Sequence, residues 1–554
     1  MSAGSLASRL GLLWRDRPTA HFLAVATTVW LWLVLGHDGR RIGQLLLLAL
    51  PGLLWLFWPL RGAPMRTLRA VALWLWSMAF VADATLRAYL LDTYQAAPDS
   101  LLVLGAMANT SARESAEYLS MHWRSVTAAL VPMAVAGALL ACFVWPSPAR
   151  DQADRTRSRR APWGIALLVF ALLASSVAYA SKPWRRLHPA LHWAGWGQSV
   201  QDQRAVWADG ATARRTALES ARAAEPVLLS QEPATVVLVV SESINRDNLG
   251  LYGYARATTP RLSAQREALA ERLIVLRNAW SADPATLPAL ANLFQFGDPS
   301  AKNPMHVLAL ARAAGYRVWW IGNQDDMAVE QTHAGLADEL RLTNRTPGRS
   351  SASPDSEVLQ PLRSALADPH LRKLVVVHLM GAHPHYHLRY PEGRNPFEGT
   401  ADAVERRLES QGRPGWLRQL RNQYDAAVLH HDTLVSELLD LTRASGAAGG
   451  YRAWMFLSDH GQEVAHEHER DHAGHSPGTA AGYRIPALIW HNQASRLLPA
   501  DLERRPFRAD WGSWTLTDLL RIQWRADEPS RNVLHDDYRW LAPQLRVPVA
   551  SFVD

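Results

Sequence analysis

The length, composition and charge of the chain limit what it can be. Its 554 residues are too many for one ordinary domain, so two or more domains are expected. The formal net charge of +7 is modest, and the sequence has no long basic face or aromatic–basic array, which argues against nucleic acid as a partner. The single cysteine, Cys142, excludes an intramolecular disulfide and a cysteine-based zinc site.

The first third of the chain is rich in Trp, Leu, Ala and Val, whereas the remainder has the composition of a globular domain. A membrane-spanning helix needs about 20 predominantly apolar residues. Five apolar stretches approach that length, at approximately 20–37, 43–60, 68–90, 124–146 and 163–181. Although any one of them could be a buried core helix, the five together predict an α-helical membrane domain over residues 1–182.

The distribution of arginine predicts the orientation, because cytoplasmic loops carry an excess of positive charge. Arginines cluster before the first span, between the second and third, and between the fourth and fifth. These are Arg9, Arg15, Arg17, Arg61, Arg66, Arg69, Arg150, Arg155, Arg157, Arg159 and Arg160. Arg40 and Arg41 lie on the opposite side and are a small exception. Five spans then put everything after about residue 182 outside the cytoplasm, with the first span as an uncleaved anchor.

Two polar segments lie outside the cytoplasm on this topology. The segment of about 91–122, between the third and fourth spans, is too polar to cross a bilayer. Residues 183–230 are predicted to be a connector. Its mixed charge and its tryptophans are compatible both with helices on the membrane surface and with a solvated linker.

From residue 234 the pattern changes to alternating strands and helices. The run ATVVLVV at 234–240 is continuous, apolar and β-branched, as is typical of a buried parallel strand. Similar runs recur at 317–321, 373–379, 453–457 and 485–490, with amphipathic helical stretches between them, for example 303–314 and 422–443. The pattern predicts an α/β domain over residues 231–554 with a mostly parallel central sheet.

Metal-ligating side chains follow three of these strands. They are Glu242 after the first strand, His378 and His383 after a later one, and Asp459, His460, His466, His468, His472 and His475 after another. In open α/β sheets, ligand sites gather at the carboxyl ends of strands. Each signal is weak alone, because a lone glutamate is usually a cap and a histidine-rich stretch can bind metal adventitiously. Their recurrence after three strands predicts a zinc site.

Several segments resemble, in the same order, the motifs of the phosphoethanolamine transferases. The stretch VVLVVSESINRDNLGLYGYARATTPRL (236–262) resembles the family's strand that ends in a glutamate ligand and precedes a G-Y-x-R-x-T-x-P segment. VVHLMGAHPHYHLRYP (376–391) resembles its H-x-x-G-x-H…R-Y-P segment, and LSDHGQEV (457–464) its S-D-H-G-E motif. WWIGNQDDM (319–327) is similar to its W-x-x-N-Q segment, and YDAAVLHHD (424–432) to its Tyr-Asp helix.

The resemblance covers nearly the whole chain, including the five-span anchor. It is closest to the branch that modifies heptose in the lipopolysaccharide core, through NQDDM, VVHLMGAHPHY and PEGRNPFEGT. It implies an alkaline-phosphatase/sulfatase-like fold for the α/β domain. It also implies a catalytic Zn²⁺ bound by Glu242, Asp459, His460 and the oxygen of the nucleophile.

The resemblance also implies residues that contact the substrate. His378 and His383 match the family's pair near the substrate phosphate, and they leave open whether a second zinc ion binds. His472 lies twelve residues after His460, the spacing found in the family, and His475 is its rival. Further matches to substrate-contacting positions are Asn323 in the W-x-x-N-Q segment, and Thr110 and Glu114 in a T-x-x-x-E segment between the third and fourth spans.

The nucleophile is the point at which this chain departs from the family pattern. The family places a threonine five residues before a proline at the start of a helix, but counting back from Pro288 reaches Asp283, flanked by Ser281 and Thr286. Pro284 fits the first position of a helix capped by Asp283. Ser281 would then lie just upstream of the positive helix end. Thr286 would lie inside the first turn, with its hydroxyl partly engaged by the backbone. This reasoning favours Ser281 and keeps Thr286 as the alternative.

We therefore expect a monomeric, zinc-dependent inner-membrane enzyme whose periplasmic domain moves phosphoethanolamine from phosphatidylethanolamine to lipopolysaccharide. Core heptose is favoured as acceptor over lipid A. Ser281 or Thr286 would form a covalent phospho-enzyme, and His383 or His472 would protonate the leaving oxygen. One alternative is another phosphodiesterase or phosphoglycerol transferase of the sulfatase superfamily. The other is a catalytically inactive relative that binds envelope components, which the missing threonine motivates.

Overall fold

The computed structural model describes residues 18–57, 60, 62–94, 96–110, 112–145, 162–208, 210–301, 304–324, 327–344, 354–445, 450–466, 471, 473–493 and 498–549. The chain divides into two compact units. The first comprises Met1–Leu104 and His122–Asp202, and the second comprises Gly105–Met121 and Gln203–Asp554. The second unit therefore includes a short segment from between the predicted third and fourth spans.

Apolar helices make up the first unit. They run over Pro18–Gly36, Gly39–Leu54, Ala63–Tyr94, Trp123–Val144 and Pro162–Ala180. Within the described residues, three helical stretches are long and apolar enough to cross a membrane, Gly39–Phe57, Ala63–Tyr94 and Trp123–Val144. Shorter apolar stretches lie at Ala20–Gly36 and Val169–Ala180. Each predicted span thus coincides with an apolar helix, and the number of helices that cross the membrane stays a prediction.

A buried carboxylate lies inside this helical unit. Asp83 Oδ1 accepts hydrogen bonds from Arg87 Nε at 3.0 Å and from Trp193 Nε1 at 2.9 Å, and Asp83 Oδ2 lies 3.0 Å from His37 Nε2. We call these four residues the Asp83 cluster. Trp193 belongs to the helix Pro189–Ala208, which forms the middle of the predicted connector. The connector is therefore helical, and its first part packs on the apolar helices.

A seven-stranded mixed sheet lies at the centre of the described part of the second unit. The strands of this unit are β1 Val227–Leu228, β2 Ala234–Ser241, β3 Leu273–Val275, β4 Asn278–Trp280, β5 Arg317–Gly322, β6 Glu339–Leu342, β7 Arg372–His378, β8 Tyr451–Ser458, β9 Glu463–Val464, β10 Ala473–Gly474, β11 Arg484–Ile485, β12 Ala487–His491, β13 Pro506–Arg508 and β14 Ile522–Gln523. The central sheet has the order β3-β12-β8-β2-β7-β5-β6. Strands β8, β2, β7, β5 and β6 are parallel, and β12 is antiparallel to both neighbours.

Both faces of the central sheet are buried. Strand β2 contributes Val236, Leu238 and Val240 to one apolar core and Val237 and Val239 to another. Successive side chains of a strand point to opposite faces, so a continuous apolar run indicates a sheet covered on both sides. The other α-helices of the second unit and of the connector are Lys182–Arg185, Leu101–Asn109, Ala112–Met121, Gly210–Ala223, Pro260–Leu269, Thr286–Phe294, Val307–Ala313, Met327–Thr332, Leu359–Ala367, Ala403–Ser410, Gly415–Ala444 and Gly512–Leu519.

The predicted α/β fold with a mostly parallel sheet is confirmed. The five predicted strands correspond to β2, β5, β7, β8 and β12. The antiparallel direction of β12 was not predicted, because a short apolar run that is buried on both faces looks the same in either direction.

Candidate active site and metal centre

Glu242 and Asp459 emerge side by side from adjacent parallel strands. Strands β2 and β8 pair with Ser241 opposite Ser458, so the next residue of each strand is a neighbour of the other. The Asp459 backbone N–H donates to Ser241 O at 2.9 Å, and Asp459 Oδ1 accepts from the Ser243 N–H at 3.2 Å. Both carboxylates are buried. Two carboxylates buried together are costly without compensation, so this edge of the sheet favours a cation.

Glu242, His460 and His475 form a compact set of metal-ligating atoms. One ligand atom of each lies within 4.8 Å of the others. His460 Nδ1 lies 2.7 Å from Gly461 O, so this nitrogen donates, and the lone pair of Nε2 is left for a metal. A buried carboxylate with two imidazoles suits Zn²⁺, and the residues present therefore fit that ion. His475 thus lies in the set, whereas its rival His472 lies outside the described residues.

Thr286 places a hydroxyl against this set. Its Oγ1 donates to Oε1 of Glu242 at 3.2 Å and lies 3.4 Å from Nε2 of His460. Thr286 is the first residue of the helix Thr286–Phe294. The partial positive charge of the helix N-terminus therefore faces the position that a phosphoryl group on Thr286 would occupy.

The helix begins later than the sequence predicts. Ala285 is extended, with φ −137° and ψ 145°, so the prediction that Pro284 opens the helix is wrong. Pro288 is the proline in the first turn, where a missing N–H breaks no helical hydrogen bond. Both prolines are compatible with a helix start, and the local pattern does not distinguish them.

Asp283, which the sequence predicts to cap the helix, accepts from the Ala285 N–H at 3.1 Å. Burial raises the pKa of Asp283 to about 7, against the opposing effects of that hydrogen bond and of Arg546.

Ser281 is buried between two main-chain carbonyl groups. Its hydroxyl oxygen lies 2.5 Å from Asp459 O and 2.8 Å from Asp283 O, and it accepts from the Asp283 N–H at 3.3 Å. A serine hydroxyl has one hydrogen to donate, so the two carbonyl groups share it. The structure brings both candidate hydroxyls to the same edge of the sheet. Thr286 contacts metal-ligating side chains there, whereas Ser281 contacts the backbone.

The two histidines after β7 have different surroundings. His383 Nε2 lies 3.4 Å from Oε1 of Glu242, and its Nδ1 lies 3.2 Å from Pro384 O. His378 is buried at the end of β7, and its ring packs edge-on against Trp320 with centroids 5.7 Å apart. The structure therefore brings His383 to the metal-ligating set and packs His378 against a core indole.

Asn323 and Gln324 follow β5 and have separate partners. Asn323 is fully buried, and its Nδ2 donates to Asp355 Oδ1 at 2.9 Å. The Gln324 Nε2 donates to Oε2 of Glu242 at 2.5 Å. Sequence reasoning singled out Asn323 and missed Gln324, although both belong to the W-x-x-N-Q segment. That motif was the available signal, but it does not tell which of two adjacent amides points to the carboxylate.

The loop after β7 fixes the backbone of Glu242. Asp355 accepts from the N–H groups of Met380 and Gly381, both at 2.9 Å, and Ala382 N donates to Glu242 O at 3.0 Å. Gly381 has φ +57°, and a methyl group there would overlap the Glu242 carbonyl oxygen. Only glycine accepts both conditions without strain.

Thr110 and Glu114 lie on the segment Gly105–Met121, which belongs to the second unit. The segment begins near Leu287, next to Thr286, because a methyl group at Gly105 would lie 3.6 Å from Leu287 Cδ1. Farther along, Asn109 Oδ1 accepts from the N–H of Ala328 at 3.3 Å, and the carbonyl oxygen of Glu117 lies 2.6 Å from His385 Nε2. Thr110, which directly follows the helix Leu101–Asn109, donates its hydroxyl to Ala106 O of that helix.

The G-Y-A-R segment forms a buried ion network. Tyr254 donates its hydroxyl to Asp425 at 2.6 Å, and Arg256 bonds both Asp425 and Asp402 at 2.7 Å. Asp425 belongs to the helix Gly415–Ala444, so these motif residues hold the chain that follows Glu242 onto that helix. We assign them a structural role.

Comparison with known proteins places this site in a class. The sulfatase family model matches residues 234–501, so the chain contains a sulfatase domain. Phosphoethanolamine transferase EptC of Escherichia coli (strain K12) is 28% identical over 488 residues, covering 79% of each protein. The crystal structure of the C-terminal periplasmic domain of EcEptC from Escherichia coli in complex with Zn matches at 27% identity, with a TM-score of 0.53, over 58% of this chain and 93% of that one.

The likeness in fold extends to the helical N-terminal part. The integral membrane protein lipooligosaccharide phosphoethanolamine transferase A (EptA) from Neisseria meningitidis matches over 92% of this chain and 98% of that one, with a TM-score of 0.55 and 18% identity. The chain thus carries a sulfatase domain and has phosphoethanolamine transferases among its homologues. The similarity to EptC is consistent with the core-heptose branch.

Proposed function

We propose that the chain transfers phosphoethanolamine from phosphatidylethanolamine to a lipopolysaccharide acceptor through a covalent ester on Thr286. The observation that carries this proposal is the hydroxyl of Thr286, which starts a helix and donates to Glu242 at 3.2 Å. The geometry favours Thr286 over Ser281 because the Ser281 hydroxyl is held by the carbonyl groups of Asp283 and Asp459.

In the first step, Thr286 Oγ1 attacks the phosphorus of the donor phosphodiester. A new phosphorus–oxygen bond forms, and the bond from phosphorus to the diacylglycerol oxygen breaks. The hydroxyl proton, which points to Oε1 of Glu242, is lost to water as the attack proceeds, and the Thr286 oxygen takes up a proton from water when the ester is broken in the second step. Glu242, Asp459, His460 and His475 would hold a zinc ion, which when bound lowers the pKa of the hydroxyl and stabilises charge on the phosphoryl oxygens.

The leaving diacylglycerol oxygen needs a proton, and we assign the donor as His383. In its protonated form, Nδ1 donates to Pro384 O, and Nε2 carries the proton to be given. His472 remains the alternative donor. In the second step, the acceptor hydroxyl attacks the phosphothreonine, its proton passes to His383, and the Thr286 hydroxyl is restored.

The donor lipid is proposed to approach along the segment Gly105–Met121. Thr110 and Glu114 lie on this segment, in which Gly105 packs near Leu287 and Glu117 near His385. The Glu114 carboxylate has the charge to pair with the ammonium of the ethanolamine. His378 and Asn323 would then act behind the site, because both are buried among residues of the domain.

The relatives support a proposal for the acceptor and for the location. We propose core heptose as the acceptor, in line with the similarity to EptC. We propose a monomer that is anchored in the inner membrane by its apolar helices, with the sulfatase domain in the periplasm. One zinc ion suffices for the set described, and His378, His383 and His472 are the residues available to a second ion or to the substrate.

The test uses the full chain in detergent with a fluorescent phosphatidylethanolamine and purified lipopolysaccharide. The proposal expects fluorescent diacylglycerol, and lipopolysaccharide heavier by one phosphoethanolamine in the mass spectrum. Diacylglycerol that forms at the same rate without an acceptor, together with free phosphoethanolamine, would indicate a phosphodiesterase of the sulfatase class. A chain that binds no zinc and turns nothing over would indicate an inactive envelope-binding relative.

A further inference from the structure

The two carboxylate oxygens of Glu242 have different partners. Oε1 accepts the hydroxyl hydrogen of Thr286 at 3.2 Å and lies 3.4 Å from His383 Nε2. Oε2 accepts from Nε2 of Gln324 at 2.5 Å. One oxygen therefore faces the reacting hydroxyl, and the other is held on the opposite side by a neutral amide.

The orientation of the Gln324 amide is fixed by its two acceptors. The same Nε2 also donates to Leu379 O at 3.1 Å. A flipped amide would place its carbonyl oxygen against a carboxylate and a carbonyl group, so the two acceptors exclude that orientation. Gln324 is 3% exposed, and its Oε1 has no hydrogen-bond partner in the described part of the chain. A buried amide oxygen without a hydrogen bond lowers stability. The side chain thus satisfies Glu242 through its N–H donors and leaves its own oxygen without a hydrogen bond.

We propose that Gln324 is a positioning residue that holds Oε2 of Glu242 back, so that Glu242 presents Oε1 alone to the metal. The proposal rests on the proposed function, because it concerns the zinc ion assigned to this set. Gly381 and Ala382 fix the backbone of Glu242, and Gln324 fixes its side chain. Partners that orient a metal-ligating carboxylate in this way contribute strongly to metal affinity.

The choice of a neutral amide has an electrostatic reason. An arginine or lysine at this position would neutralise Glu242 and weaken its attraction for a divalent cation. An amide donates a hydrogen bond and leaves the full negative charge on the carboxylate. Gln324 thus orients the ligand without competing with the cation.

The experiment compares two isosteric substitutions in the full chain. Gln324→Met removes the amide at the site. Gln265→Met is the matched control, because Gln265 donates its Nε2 to Ser436 O at 3.0 Å on the helix Pro260–Leu269. For each variant, the Zn²⁺ dissociation constant is measured by competition with a chromogenic chelator. The melting temperature is measured in excess chelator, and the visible spectrum is recorded with Co²⁺ in place of zinc.

The proposal expects Gln324→Met to weaken zinc binding by about 10- to 100-fold. It also expects weaker visible Co²⁺ bands, since a freed Glu242 can bind through both oxygens and raise the coordination number. The melting temperature in chelator should match that of Gln265→Met, whose zinc affinity should equal that of the wild type.

Wild-type zinc affinity and Co²⁺ bands in Gln324→Met would overturn the proposal. So would a lower melting temperature in chelator with unchanged Co²⁺ bands, which indicates a structural role. A wild-type chain that binds no zinc would overturn the metal site itself.

Discussion

Thr286 Oγ1 lies 3.2 Å from Oε1 of Glu242, although the two residues belong to different elements 44 positions apart. The hydroxyl comes from the start of a helix, and the carboxylate follows the central strand β2. Their contact joins the positive end of a helix dipole to a buried anion. The helix end stabilises negative charge such as that of a phosphoryl group, and the carboxylate attracts a divalent cation.

The choice between the two hydroxyls can be tested directly. Thr286→Ala should abolish the phospho-enzyme that intact-mass spectrometry detects after mixing with phosphatidylethanolamine, and it should lower transfer by at least about 10³-fold. Ser281→Ala is the control. It removes hydrogen bonds to two carbonyl groups, so it should lower stability by about 1–2 kcal/mol and still form the phospho-enzyme. The assignment fails if Thr286→Ala still forms the ester and Ser281→Ala does not.

The two candidate histidines after Asp459, His472 and His475, should differ in how much their substitution weakens zinc binding. His475 lies with Glu242 and His460, so His475→Ala should weaken zinc binding by about 10-fold or more. His472→Ala should leave zinc affinity close to that of the wild type and reduce transfer instead. Zinc competition titrations on both variants decide the matter, and the reverse pattern would exchange the two roles.

A side chain at Gly381 should be destabilising because of the close approach to the Glu242 backbone, and Gly393 serves as a control that has a positive φ without that close approach. Gly381→Ala combines a positive φ of +57° with an overlap on the Glu242 carbonyl oxygen, so both stability and zinc affinity should fall. Gly393→Ala has a similar φ of +72° and open space around the new methyl group. It should lose about 1 kcal/mol of stability and retain zinc affinity. Equal zinc affinities in the two variants would contradict the role of the close approach.

Acid should destabilise the second unit through a buried pair of histidines, His306 and His333. His306 Nδ1 accepts from the Leu308 N–H at 3.2 Å, so its Nε2 carries the proton and donates to His333 Nδ1 at 3.0 Å. Burial lowers the pKa of His333 to about 3, and burial together with His333 lowers the pKa of His306.

The sign follows from proton binding. Below the unfolded value of 6.5, the unfolded chain binds protons that the folded chain excludes. Stability is therefore fully present above pH 6.5 and falls as the pH drops towards 3, by about 1.4 kcal/mol per pH unit for each histidine. Melting temperatures between pH 7.5 and 5 check this. Replacing both histidines, as in the double variant His306→Leu/His333→Leu, should flatten the slope, and an unchanged slope would show that other groups cause it.

Substitutions of Asp83 and Arg87, two members of the Asp83 cluster, should have coupled effects on stability. Asp83→Leu leaves Arg87 buried without its carboxylate partner, which costs about 3–5 kcal/mol when a buried ion pair is broken. Arg87→Leu should be costly for the same reason. The double variant should be less destabilised than the sum of the two. Additive changes in the melting temperature of the full chain in detergent would mean that the two charges are not coupled.

The sequence alone predicted the apolar helices, the order of the strands along the chain and the edge of the sheet at which candidate metal ligands gather. These features depend on local patterns. A run of apolar residues predicts a buried strand or helix wherever it packs, and a carboxylate or histidine directly after a parallel strand has to lie at the carboxyl edge of the sheet. The position of Glu242, Asp459 and His460 at that edge could therefore be predicted without coordinates, whereas their role as zinc ligands is what the family resemblance implies.

The tertiary structure decided which side chains meet at that edge. The helix starts at Thr286 and not at Pro284, because Ala285 stays extended, and this turns the hydroxyl of Thr286 towards Glu242. In the same way, Gln324 and not Asn323 reaches the carboxylate, and His475 lies in one group with Glu242 and His460. Contacts between residues far apart in sequence depend on register and on backbone angles to within one residue, and a local pattern does not encode them at that precision.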